Sequence, residues 1–144
     1  MLIFTLVALY QRKRNGSNSL YRTELTRCKT KTFLHAGHWA FAYLAKRYNL
    51  NYISAYNVSA DAEPSPQKMV TLIEQVKRQG VTYIYYEEMI NPRLAKMIAR
   101  ETGAGLLKLN NGHDVRKADL KSGESFISLM EKNLTNLKKG MRCP

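Results

Sequence analysis

The chain has 144 residues, 44% of them hydrophobic and 24% charged, with a net charge of +12. That length is one domain, long enough to bury a core without needing a metal or disulfides merely to fold. The basic balance points towards nucleic acid, but half of the excess lies in residues 1–31, which carry seven Lys/Arg against the single acid Glu24.

The chain opens on "MLIFTLVALY", followed directly by "QRKRNGSN". A secretory signal carries its positive charges before the apolar region, and a spanning helix needs about 20 apolar residues. The run is therefore neither, and no signal peptide is recognisable. It reads as a buried strand or helix, or as a non-native start, and "RKRNGSNS" reads as a loop or linker. The expected organisation is an uncertain segment at 1–18, a connector at 19–30 and an α/β body at 31–144.

Within the body, "TFLHA" is a strand candidate, and Phe41, Leu44, Ala45 and Tyr48 form a helical stripe. "NYISAYNV" reads as a second strand. The next helix has Ser65 as N-cap, Pro66 in its first turn and Gly80 just past its end, with Met69, Leu72, Ile73 and Val76 inward. "VTYIYYEE" is a third strand. Asn91 is the expected cap and Pro92 the first residue of another helix, with Leu94, Met97 and Ile98 inward and Gly103 as its stop. "AGLLKL" is a fourth strand. A last helix should bury Phe126, Leu129, Met130, Leu134 and Leu137. Strands alternating with helices predict an α/β fold, a four-stranded, mainly parallel sheet flanked by helices.

In such sheets, ligands bind beyond the carboxyl ends of the strands. The loops expected there carry His35 and His38, then Asp61 and Glu63, then Glu87 and Glu88, then His113 and Asp114. All three histidines thus fall at one edge. No nucleophile elbow, P-loop or GxGxxG is present. Neutral imidazoles with carboxylates suit zinc or manganese. His38, placed at the start of a helix, should be held neutral by the positive dipole end. His35 lies within the strand pattern and reads as structural. Cys28 and Cys143 have neither metal-knuckle nor CxxC spacing; they read as a clasp in an oxidising compartment or as two separate thiols in the cytosol.

"GHWAFAYLAKRYNL", "AEPSPQKMVTLIEQVKRQGVTYIYYEE", "ETGAGLLKLNNGHD" and "SFISLMEKNL" follow one another in this order. From about Cys28 to Cys143 the chain resembles the C-terminal lobe of the zinc/manganese solute-binding receptors of bacterial ABC transporters. The resemblance implies one lobe of a helical-backbone (cluster A-I) metal receptor, not an enzyme, with residues 19–30 as the tail of the inter-lobe linking helix and its connector. It implies an extracytoplasmic setting, Zn2+ (less so Mn2+) as the ion and a membrane permease as partner. His38, three residues before Phe41, matches one family ligand. His113 matches a second, with Asp114 next in line; Glu63 and Glu88 match framework or supporting acids. A Cys28–Cys143 disulfide becomes the favoured pairing. The family's N-terminal lobe, with two more ligands, has no counterpart here, so the chain reads as truncated, its open face covered by that lobe or by a second copy. Nucleic acid is not an expected partner on this reading. The alternatives are a basic nucleic-acid-binding α/β domain and a small metal-dependent hydrolase built on His38 and His113.

Overall fold

A computed structural model describes residues 2–56, 64–87, 91–112 and 117–144, without the side chains of residues 2–7, Lys117 and Leu120. The elements in chain order are α1 (Leu2–Thr26), β1 (Thr32–His35), α2 (Ala42–Arg47), β2 (Asn51–Ser54), α3 (Pro66–Arg78), β3 (Tyr83–Tyr86), α4 (Arg93–Thr102), β4 (Gly105–Lys108), α5 (Lys117–Lys121) and α6 (Phe126–Gly140). The four strands form one parallel sheet in the order β2-β1-β3-β4. Leu34 pairs with both Ile53 and Ile84, and Ile84 with Leu106, so the strands run in step towards one carboxyl edge.

Alternation along the strands splits the core in two. Phe33 and Tyr85 join Tyr21, Leu25, Phe41, Leu134, Leu137 and Met141 beneath α1, α2 and α6. Leu34 and Ile84 join Leu72, Val76, Ala95 and Ile98 beneath α3 and α4. Helices therefore cover both faces, as a parallel sheet requires. The Tyr85 hydroxyl reaches the last turns of α6, donating towards the Asn136 carbonyl at 3.2 Å. Gly140 lies against the same ring, leaving no room for a Cβ.

α3 starts where the sequence places it: the Ser65 hydroxyl accepts the Lys68 N–H at 3.2 Å, with Pro66 next. Gly80 (φ +61°) and Gly103 (φ +72°) take the left-handed conformation that ends α3 and α4. Ser125 and Ser128 form a reciprocal capping box at α6.

Four expectations change. "RKRNGSNS" is not a loop but part of the continuous helix α1. Its buried end explains this: Tyr21 and Leu25 lock under α6, and the Asn18 side chain accepts hydrogen bonds from Arg47 Nε (3.0 Å) and Tyr48 (2.8 Å). The cap of α4 is Pro92, not Asn91. Asn91 Oδ1 accepts the Arg93 N–H at 3.0 Å, a turn closed two residues on, so the helix starts one residue later. Met97 is exposed because α4 meets the sheet through Leu94, Ala95, Ile98 and Ala99, whose small alanines allow a close approach. Phe126 is 52% exposed because it opens α6 and its ring lies beside Gly112. No described helix is long and apolar enough to cross a membrane.

Candidate metal site at the carboxyl edge of the sheet

His35 ends β1 and His38 lies three residues on, in the loop before α2. α2 begins only at Ala42, so His38 precedes the helix by four residues. The helix-dipole argument for a neutral His38 therefore does not hold, since that field acts only within the first turn. What holds this loop is its neighbour strand. The Tyr52 hydroxyl donates to the His38 carbonyl (3.0 Å) and the Ser54 hydroxyl to the Gly37 carbonyl (3.1 Å). The Ala36 N–H extends the ladder to the Tyr85 carbonyl (2.8 Å), and Trp39 stacks on Tyr52 at 4.6 Å between ring centroids. The backbone of His38 is thus fixed while its imidazole stays half-exposed at the sheet edge. Tyr52 and Ser54 were not singled out as site residues, because their role depends on β2 lying beside β1.

His35 behaves differently. It is wholly buried, edge-on to Phe41 with 4.7 Å between ring centroids. Its Nε2 lies 3.6 Å from Oε1 of Glu87, also buried, just after β3. Burial pushes the imidazole down to about 4, so the ring is neutral at pH 7. Gly37 folds directly over that ring, which leaves no space for a side chain there. Glu87, expected in the loop after the third strand, is therefore a buried partner of the β1 terminus.

At the other end of the edge, the chain leaves β4 through Leu109, Asn110, Asn111 and Gly112. His113 is the next residue. His113, Asp114, Glu63 and Glu88 lie outside the described residues. Among the described residues, no three His, Cys, Asp or Glu side chains form a metal-binding group. A cleft of about 490 Å³ opens between α1, α2 and α6, lined by Arg14, Phe41, Tyr43, Asn110, Asn111 and Phe126. It borders both the His38 loop and the exit of β4. On the opposite side of the fold, Cys28 and Cys143 form a disulfide between the connector after α1 and the chain end.

Comparison with known proteins decides the family. The family model described as the zinc-uptake complex component A, periplasmic (ZnuA), matches residues 7–140. The chain belongs to the ZnuA family. The zinc-binding protein AdcA of Streptococcus pyogenes is 37% identical over 131 residues, 91% of this chain and 25% of that protein. The high-affinity zinc uptake system protein ZnuA of Bacillus subtilis is 34% identical over 129 residues, 90% of this chain and 40% of that protein. The crystal structure of the Zn(II)-bound ZnuA-like domain of Streptococcus pneumoniae AdcA superposes with a TM-score of 0.75 at 37% identity, over 93% of this chain and 50% of that one. This ZnuA-family chain therefore spans a quarter to a half of the relatives it matches. Its parallel sheet and flanking helices are the fold expected of one receptor lobe.

Proposed function

We propose that this chain is the C-terminal metal-binding lobe of a zinc-uptake receptor, with zinc as cargo and not as a resident cofactor. His38 and His113 are its ligands, and Asp114 is the substitute if the loop is shifted by one residue. Membership of the ZnuA family carries this reading, supported by a fixed, half-exposed His38 at the carboxyl edge of the sheet. Zinc takes about four ligands. Two imidazoles from one lobe hold it weakly and release it readily. An N-terminal lobe, or a second copy of this chain, supplies the rest by closing over the cleft. The closed, loaded receptor then docks on a membrane permease outside the cytoplasm. Imidazole nitrogens favour zinc over manganese, which prefers oxygen donors. The lobe performs no covalent chemistry: it binds, encloses and hands over an ion. Glu63 and Glu88 serve as framework or supporting acids.

The test is calorimetric titration of the metal-free chain with Zn2+, beside a His38→Ala, His113→Ala double variant. The expected result is weak binding by the native chain, reduced in the variant by more than the roughly 10–100-fold that loss of an outer supporting partner costs. Equal affinity in the two proteins would sink the ligand assignment.

A further inference from the structure

The chain leaving β4, residues 108–112, is held by residues on a different element. Asn133 lies in the middle of α6 and is 2% exposed. A buried amide is costly unless both its donor and its acceptor are satisfied. Here one residue satisfies both: the Asn110 N–H donates to Asn133 Oδ1 (2.8 Å), and Asn133 Nδ2 donates to the Asn110 carbonyl (2.7 Å).

This pair begins where the sheet ends. The last ladder bond on this side runs from the Leu109 N–H to the Tyr86 carbonyl (2.9 Å). Beyond it, the Asn133 side chain takes the place of a neighbouring strand. Asn136, one turn along α6, donates from Nδ2 to the Lys108 carbonyl (2.8 Å). The restraint continues forward. Asn110 Oδ1 accepts the Gly112 N–H at 2.6 Å, closing a tight turn. Gly112 has φ +82°, and a Cβ there would stand 2.7 Å from the Phe126 ring. The path from Lys108 to Gly112 is therefore set by α6, up to the residue before His113.

We propose that Asn133 is a positioning residue for the metal site: its amide aligns the β4 exit so that His113 is presented to the ion. This rests on the reading of His113 as a ligand. Nothing in the packing of α6 asks for an amide at 133, because its neighbours Leu134 and Leu137 fill the core with apolar side chains.

The experiment is a double-variant cycle on the full chain, read by Zn2+ titration. Asn133→Asp keeps the size but turns the Nδ2 donor into an acceptor facing the Asn110 carbonyl. It should weaken zinc binding about tenfold, the scale of an outer partner, while His113→Ala with Asn133→Asp binds no more weakly than His113→Ala alone. A general loosening of the fold would also weaken the His38 half-site. Equal losses in both backgrounds, or no loss in either, would therefore overturn the proposal. Should His113→Ala itself leave zinc affinity unchanged, it is the ligand reading that fails. If Asn133→Asp does not fold, as judged by circular dichroism, Asn133→Ser takes its place in the same cycle. Its short hydroxyl cannot reproduce both bonds to the Asn110 backbone, and the same pair of outcomes decides.

Discussion

At the scale of single residues, three histidines at one edge were visible in the sequence, but their environments were not. His38 is held by its backbone and left half-exposed, whereas His35 is sealed beside Glu87 and Phe41. That difference has a consequence in acid. The unfolded imidazole titrates near 6.5, and burial lowers the native one to about 4. Between these values the unfolded chain takes up a proton that the native chain refuses, so stability falls as pH falls through that window. The loss approaches about 3 kcal/mol when both values are passed. Burial dominates the shift; the nearby His38 backbone opposes it and the His38 charge adds to it, while Glu87 faces the ring at 3.6 Å. Urea unfolding at pH 7, 5.5 and 4.5 should show a steeper decline for the native chain than for His35→Leu. Parallel declines would show that another group governs acid sensitivity. Asn133 was missed at this scale because it breaks no periodic pattern, and Glu87 was read as an acid of the sheet edge but not as a partner of His35. Each acquires its role from a residue 23 or 52 positions away in the chain.

At the scale of elements, α3 and α4 were readable because their signals are local: a serine cap, prolines in or just before the first turn, and glycines free to adopt positive φ. The same local reasoning failed for α1. Asn, Gly and Ser between residues 15 and 19 argue for a loop, yet the helix runs about 37 Å without interruption. Anchoring of Tyr21 and Leu25 beneath α6, and of Asn18 by Arg47 and Tyr48, outweighs the weak propensity. Gly16→Ala tests this directly. A Cβ at Gly16 meets nothing within 4 Å, so in a true helix alanine should stabilise the chain by about 0.5–1 kcal/mol. The readouts are the denaturation midpoint and the helical signal at 222 nm. No gain in either would mean that the segment is not helical in the native state. α5 has no counterpart among the expected elements; five residues are too few for a helical period to register.

At the scale of the whole molecule, the Cys28–Cys143 bridge ties the connector after α1 to the chain end across a separation of 115 residues. The same junction carries backbone bonds from the Lys29 N–H to the Arg142 carbonyl and from the Thr30 N–H to the Met141 carbonyl. An ion pair between Lys138 and Glu24 ties α6 to α1 close by. Closing so long a loop restricts the unfolded chain, and losing the bridge should cost about 2–5 kcal/mol. Unfolding with and without reductant, beside a Cys28→Ser, Cys143→Ser variant, measures it. An oxidised chain no more stable than the reduced one would mean that the bridge is absent or does not constrain the fold. The charge of +12 remains a property of the surface. It bears on solubility and on weak attraction to anionic partners, not on the fold.

Periodicity, caps and turn residues, read along the chain, determined an alternating α/β lobe and the carboxyl edge of the sheet at which the His35–His38 segment lies. These follow from interactions spanning four residues or fewer, which a sequence displays directly. Tertiary structure alone decided which histidine faces outward, that Tyr52 and Ser54 hold the His38 loop, that Asn133 stands in for a missing strand at Asn110, and that a polar, glycine-bearing segment remains helical. Each of these depends on groups far apart in the chain meeting inside the fold, where a buried amide or imidazole must find its partners at hydrogen-bonding distance or go without.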